Sequence, residues 1–385
     1  MLQNRNRQGS VSAGSRSLTH AFVMAGGGTG GHVFPALAVA RVLRDRGHRP
    51  LFIGTKAGME SRLVPEAGFE IEFIEIGGFN RVGAMQKLQT ALKIPGAIAA
   101  SRRILRRLRA AAVFSMGSYV AGPVMLAAIT LGLPLIVMEP NAIPGIANRK
   151  VGRRVYRALL GFEAARPWFP PGKSEVTGLP IRPEFFQVTA PNNDKFTVLV
   201  TGGSRGARTL NRASRESWPL LRENNSPIRL IHQTGANEHE NLAKEFSIAG
   251  VDGEVIPFIA NMPEAYAQAD LVVTRAGAGA VSEIAAAGMP SILVPLPFAA
   301  DDHQRLNAEA LANAGAARIV LDKDMNGERL FREINQLRAD PSALQQMRGR
   351  VRQFAKPGAA ERAADVLIEA AERALTLRAK AGTIR

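Results

Sequence analysis

Phe22-Val-Met-Ala-Gly26-Gly-Gly-Thr-Gly-Gly31 and Val198-Leu-Val-Thr-Gly202-Gly-Ser-Arg-Gly206 decide the fold. Each runs from a short apolar strand through a glycine turn into a helical pattern, the opening of a doubly wound α/β unit. Outward from the first, apolar runs at Ala21–Ala25, Leu51–Ile53, Ile71–Ile74, Ala112–Ser115 and Leu135–Met138 alternate with helical segments. Such alternation builds a parallel sheet covered by helices. After a proline-bearing linker from about Gly178 to Asn193, the pattern restarts with Phe196–Val200, Ile228–His232, Glu254–Ile256, Leu271–Thr274 and Ile292–Val294. The expected class is α/β, two Rossmann-like domains facing each other across a cleft, with ligands at the carboxyl ends of the strands.

The 385 residues are too many for one ordinary core and suit two. The boundaries read as a disordered extension over 1–20, an N-terminal domain over 21–178, a linker over 179–193 and a C-terminal domain over 194–358. A helix in 359–385, about Ala359–Leu377, would cross back onto the first domain. Residues 1–20 carry Arg5, Arg7 and Arg16 but no acid and no apolar run, unlike a secretion signal. Ser115–Met138 is uncharged and long enough for a membrane span, but Gly122, Pro123, Gly132 and Pro134 interrupt it. It reads as a helix around Val124–Thr130 followed by a buried strand.

The absence of cysteine excludes disulfides and thiolate sites. The net charge of +16 attracts polyanions, anionic lipid or a diphosphate alike. Three Tyr and two Trp offer few stacking platforms and no binding motif accompanies them, so no nucleic-acid partner is expected.

Gly26, Gly28 and Gly31 place bare amides at a positive helix end, which suits an anion or simply close helix packing. A dinucleotide would need an acid after the second strand, and Phe52-Ile-Gly-Thr-Lys56 has none. His32, next to that loop, suits acid or base work, with a structural role as the plainer alternative. In the second half, Thr274-Arg-Ala-Gly-Ala-Gly-Ala-Val-Ser-Glu283 could hold a diphosphate on its amides and ribose on Glu283. The plainer reading is an acid stabilising a helix start, an effect of about 0.3–1 kcal/mol. Asp301-Asp-His-Gln-Arg-Leu-Asn307 gathers groups suited to sugar hydroxyls or to a solvated helix start. Asp322-Lys-Asp324 has the spacing of a metal-holding acidic pair, but stands apart from the glycine loops and reads as a loop or helix cap. No metal and no cofactor are expected.

Together Gly26–Pro35, Met116-Gly-Ser-Tyr-Val-Ala-Gly-Pro123, Glu139-Pro-Asn141, Gly202-Gly-Ser204 and Arg275–Glu283 with Gln304 resemble the MurG family over roughly Ala21 to Ala374. These bacterial glycosyltransferases convert lipid I to lipid II in peptidoglycan synthesis. The resemblance implies a GT-B fold without a metal, with UDP-N-acetylglucosamine held mainly by the C-terminal domain. It implies that Thr29, Gly30 and Gly31 meet the donor sugar or acceptor diphosphate and that Asn141 meets N-acetylglucosamine. Arg182 and Ser204 would touch the nucleotide, Ile259 uracil through its backbone, and Gln304 the sugar hydroxyls. Ala278, Gly279, Ala280, Val281 and Ser282 would cradle the diphosphate, and Glu283 would hold ribose. The family often has His-Glu-Gln-Asn where Met138-Glu-Pro-Asn141 stands, and Gln in place of Arg205.

In the implied reaction the acceptor's C4 hydroxyl displaces UDP with inversion. His32 is the first choice for the base and Glu139 the second. The implied partners are UDP-N-acetylglucosamine, lipid I and an anionic membrane surface, met peripherally at the cytoplasmic face of the plasma (inner) membrane. Met85–Arg109 mixes Leu88, Leu92, Ile94, Ile98, Ile104, Leu105 and Leu108 with seven Lys and Arg around a Pro95 expected to kink it. It could dip into anionic lipid, or pack on the sheet with a solvated basic face. The alternatives are a UDP-N-acetylglucosamine 2-epimerase or a diacylglycerol glycosyltransferase of the same fold.

Overall fold

A computed structural model describes residues 19–77, 84–191, 194–223 and 227–382. The extension expected over 1–20 lies outside them, apart from Thr19 and His20. The first sheet has seven strands: β1 (Ala21–Ala25), β2 (Arg49–Gly54), β3 (Ile71–Phe73), β4 (Ala112–Ser115), β5 (Leu135–Glu139), β6 (Arg157–Leu160) and β7 (Ser174–Val176). All are parallel, in the order β3-β2-β1-β4-β5-β6-β7. Its helices are α1 (Gly30–Asp45), α2 (Glu60–Glu66), α3 (Ala84–Arg107), α4 (Ser118–Thr130) and α5 (Ile146–Val151).

The second sheet has β8 (Phe196–Thr201), β9 (Ile228–Gln233), β10 (Gly253–Ile256), β11 (Leu271–Thr274), β12 (Ser291–Leu293) and β13 (Arg318–Ile319), again parallel, in the order β10-β9-β8-β11-β12-β13. Around it run α6 (Arg208–Glu223), α7 (Ala236–Ala249), α8 (Met262–Ala267), α9 (Ala278–Ala287), α10 (His303–Ala312), α11 (Gly327–Arg338) and α12 (Pro341–Val351), followed by α13 (Ala359–Gly382).

The central strands are apolar without alternation because helices cover both faces. In β1, Phe22 and Met24 enter one core while Val23 and Ala25 enter the core on the opposite face. β6, β7 and β13 have no counterpart among the expected strands; the edge strands β7 and β13 are only three and two residues long and half-buried, too little for a periodicity signal.

α13 packs on the first domain. Ala363, Ala364, Val366, Leu367, Ala370 and Ala371 share a core with Phe22 and Met24 of β1 and Val33, Leu37 and Ala40 of α1. The alanines let two helices approach closely, and ion pairs from Arg46 to Asp365 and from Arg362 to Glu175 (2.7 Å) flank the contact.

α4 begins at Ser118, ahead of the expected start near Val124, and runs through Gly122 and Pro123 as a helix buried on most of its surface. α3 runs through Pro95 as one helix. Its C-terminal half packs Ala97, Ile104 and Leu105 into the core beside α4, with Ile98 and Leu108 against them, so these residues are spent on packing. Leu92 is 73% exposed, and Lys93, Arg103, Arg106, Arg107 and Arg109 face solvent. The side chains of Lys87 and Leu88 lie outside the described residues. Among the described residues no helix is long and apolar enough to cross a membrane.

Candidate active site

In both sheets the strand order reverses beside the first strand of its domain, so the loops after β1 and β4, and those after β8 and β11, open crevices at the carboxyl ends of the strands. The β1–α1 glycines are required by what they touch. A Cβ on Gly26 would lie 2.9 Å from that of Met116, and Gly28, at φ 88°, faces the Tyr119 ring at 3.4 Å. A Cβ at Gly27, Gly54 or Gly58 would overlap the side chain of Glu60. Glu60 is fully buried. Its Oε2 accepts the Gly28 amide at 2.7 Å and its Oε1 accepts the amide and hydroxyl of Thr55 at 2.9 and 2.8 Å. A buried carboxylate thus staples the first glycine loop to the β2–α2 loop. Glu60 was not among the residues singled out in the sequence, although three glycines within a few positions of it or of its loop partner are its signature.

α1 starts at Gly30 with Thr29 as N-cap, but the threonine hydroxyl does not cap the helix. It meets His32 Nδ1 at 3.1 Å, which leaves Nε2 for the cleft. Thr29, Gly30, Gly31 and His32 therefore form one continuous patch. Desolvation pulls the His32 pKa down to about 4, helped by the like charge of His303 across the cleft and opposed by Glu60, so the imidazole is neutral near pH 7.

Glu139, at the end of β5, is buried with both oxygens committed. Oε1 takes the Asn141 amide at 3.0 Å and Asn141 Nδ2 at 3.3 Å; Oε2 takes the Gly145 amide at 3.0 Å and Asn148 Nδ2 at 2.9 Å. Burial raises its pKa against the opposing pull of those donors. Asn141 in turn reaches the second domain through Asn307 of α10 at 3.1 Å. An ion pair between Arg149 and Asp301 is a second contact between the domains, and the guanidinium of Arg149 lies 5.1 Å from the Trp168 ring centroid.

In the second domain, α9 begins after Gly277 with no side-chain cap and no acid in its first turn, so the amides over Ala278, Gly279 and Ala280 form a positive helix end. Val281 is buried; Ser282 and Glu283 are half-buried. Desolvation raises the Glu283 pKa to about 7 against the pull of Arg182, whose guanidinium lies 5.0 Å from the Phe185 ring centroid. Ser204 is exposed on the β8–α6 loop, whose Gly203 has φ 81°. Gln233 links that loop to Ile259: its Nε2 donates to the Gly203 carbonyl at 2.7 Å and its Oε1 accepts the Ile259 amide at 3.2 Å. Gln304 Oε1 accepts the Leu296 amide at 3.0 Å, bracing a loop in which Phe298 is 92% exposed at φ 60°.

Across the domains Asn141 bonds to Asn307 and His32 feels the charge of His303, while within the second domain Arg182 acts on Glu283 and Gln233 ties the Ser204 loop to Ile259. Asp322-Lys-Asp324 is a short 3-10 turn that does not stand apart from the glycine loops as expected: Asp322 pairs with Arg275 of the β11–α9 loop and accepts the hydroxyl of Thr209, in the first turn of α6, at 3.1 Å. Among the described residues no cluster of His, Asp or Glu has the makings of a metal site.

Residues 22–160 match the glycosyltransferase family 28 N-terminal domain and residues 197–363 its C-terminal domain. The chain is 54% identical over 351 residues, 91% of its length and 96% of the relative's, to the UDP-N-acetylglucosamine–N-acetylmuramyl-(pentapeptide) pyrophosphoryl-undecaprenol N-acetylglucosamine transferase of Solibacter usitatus. It is 44% identical over 356 residues, covering 90% and 98%, to the enzyme of the same name from Halorhodospira halophila. The crystal structure of MurG from Acinetobacter baumannii superposes with a TM-score of 0.76 at 34% identity, over 91% of this chain and 99% of that one. With the cleft, the glycine loops and these relatives in agreement, the chain belongs to the MurG family of UDP-N-acetylglucosamine-dependent N-acetylglucosaminyltransferases.

Proposed function

We propose that the protein transfers N-acetylglucosamine from UDP-N-acetylglucosamine to the C4 hydroxyl of undecaprenyl-pyrophosphoryl-MurNAc-pentapeptide, with inversion, turning lipid I into lipid II. The observation that carries the mechanism is the neutral His32, held at Nδ1 by Thr29 on the lip of the first glycine loop and turned toward the second domain. The acceptor oxygen attacks the anomeric carbon, and its proton passes to His32 Nε2. The bond from that carbon to the diphosphate oxygen breaks, and its electron pair leaves with UDP.

A free imidazole at a pKa near 4 is a weak base. Two bound diphosphates would raise it toward the operating pH, so basicity appears only in the loaded site. The uncapped amides of α9 receive the charge that develops on UDP. Arg182, Ser204, the Ile259 backbone and Glu283 form the nucleotide subsite, Gln304 meets sugar hydroxyls, and Asn141 meets N-acetylglucosamine. Glu139, four donors already on its oxygens, serves to hold Asn141.

The lipid-borne acceptor brings the protein to a bilayer. The exposed Leu92 and the basic face of α3 support peripheral docking on anionic lipid at the cytoplasmic face of the plasma membrane. Retention on vesicles of anionic lipid at physiological salt is the expected result, and free passage through them would remove this part of the reading.

The deciding experiment is transfer of labelled N-acetylglucosamine to a lipid-diphosphate-MurNAc-peptide with a chelator present and an acceptor-free control. Acceptor-dependent β-linked product is expected. UDP release without acceptor, together with sugar epimerisation, would favour the 2-epimerase reading.

A further inference from the structure

We propose that Asn307 is a positioning residue for the transfer: its carboxamide clamps the Asn141 loop of the first domain to the strand end that leads into the diphosphate loop of the second. Asn307 is completely buried. Its Nδ2 donates to Asn141 Oδ1 at 3.1 Å and to the Ala276 carbonyl at 3.2 Å, while its Oδ1 accepts the Ala142 amide at 2.9 Å. Both amide protons and one oxygen lone pair are thus used, two bonds reaching one domain and one the other. The three partners fix the orientation of the amide. Turned over, it would set NH2 against the Ala142 N–H and its oxygen against two other acceptors.

Asn141 inherits that order. Its Oδ1 is taken by Asn307 and one proton of its Nδ2 by Glu139, so the other proton is left for the donor sugar. Asn307 and Glu139 grip the Asn141 carboxamide from opposite ends, and the group cannot flip without losing both contacts. The same Asn307 nitrogen holds Ala276, two residues before α9, where the leaving diphosphate is placed. One side chain therefore sets the sugar contact and the phosphate loop in mutual register, and it does so only when the domains are together. The inference rests on the reading of Asn141 as the sugar contact.

The test combines Asn307→Asp, which keeps size and shape but turns an acceptor toward Asn141 Oδ1 and the Ala276 carbonyl, with Asn141→Ala and the double variant. Transfer kinetics are read beside binding of UDP alone. Asn307→Asp should lower kcat/KM for UDP-N-acetylglucosamine about ten- to a hundredfold, the range for an orphaned buried hydrogen-bonding group, and leave UDP affinity within about threefold. In the Asn141→Ala background the same change should cost clearly less than in the parent, because its contact with Asn141 is already gone and only the Ala276 contact remains to be spoiled. A merely structural role would instead weaken UDP and the sugar nucleotide alike.

Effects that multiply in the double variant, or kcat/KM within twofold for Asn307→Asp, would overturn the clamp while leaving Asn141 in place. A silent Asn141→Ala beside a costly Asn307→Asp would overturn the Asn141 assignment and the clamp's effect on the sugar with it. Should Asn307→Asp not fold, Asn307→Ser is judged by the same criteria.

Discussion

Replacing Glu60 with glutamine tests whether a buried carboxylate holds the first glycine loop. The two oxygens of Glu60 serve three donors, two on the Thr55 side and one on the Gly28 side. A carboxamide can satisfy only one side. With its oxygen toward Thr55, its NH2 faces the Gly28 N–H, and the slot lined by Gly27, Gly54 and Gly58 leaves no room to turn away. The loss of one charge-assisted hydrogen bond, about 1.5–3 kcal/mol, adds to the cost of an unpaired buried donor, giving roughly 3–4 kcal/mol. For a domain of this size each kcal/mol moves the melting point by about 2–4 °C, so a fall of roughly 6–16 °C is expected by calorimetry. Because Gly28 directly precedes Thr29, released loop residues would also misplace His32, and turnover should drop at least about tenfold, as small displacements of reacting groups do. A Glu60→Gln protein that melts within 2 °C of the parent, by the same scaling less than about 1 kcal/mol, and transfers sugar at the normal rate would show that the carboxylate does not hold the loop.

Two further outcomes concern the site and a third a buried histidine of β9. His32→Ala should lower kcat by about 10²–10⁴ while UDP-N-acetylglucosamine affinity, measured by calorimetry, stays near normal; near-normal turnover would take His32 out of the mechanism. Glu283, at about 7 in the free protein, accepts ribose hydroxyls on both oxygens and more strongly when ionised, so donor affinity should fall as pH drops from 8 to 6, with proton release visible in buffers of different ionisation enthalpy. Glu283→Gln should flatten that dependence, and an unchanged slope would place the titration elsewhere. His232, buried beside Asn211 at 3.1 Å, is lowered to about 3 from 6.5 by desolvation. The unfolded chain binds this proton first, so the stabilising contribution is complete above pH 6.5 and is lost as pH falls toward 3, up to about 4–5 kcal/mol. A His232→Gln protein whose acid unfolding midpoint matched the parent's would refute that assignment.

The strand–glycine–helix openings were legible because each is a local pattern: Phe22–Gly31 and Val198–Gly206 announce both domains, and the structure places both where their sequence puts them. The edge strands β7 and β13 escaped because two or three half-buried residues carry no period. Patterning left α3 open between lipid and sheet, and Ile104 and Leu105 turn out to be consumed by packing in the core. In the site, His32 and Glu283 stood out through their neighbours in sequence. Asn307 lay within a stretch already noticed, yet its partners in the first domain are 165 and 166 positions away, so its use could not be read from spacing. Glu139 differs: its donors on Asn141, Gly145 and Asn148 are close in sequence, but the irregular loop that turns them back onto both its oxygens has no period to read.

The docking of α13 on the first domain bears on how the protein is made. Phe22, Met24 and the inner face of α1 emerge early from the ribosome, but Ala363–Ala371, which share their core, emerge only after the second domain. During synthesis of the whole second domain, that face of the first one waits with apolar side chains uncovered. Until α13 arrives the first domain has an unfinished core, and messages cut short before the codons for α13 should yield a first domain that tends to aggregate.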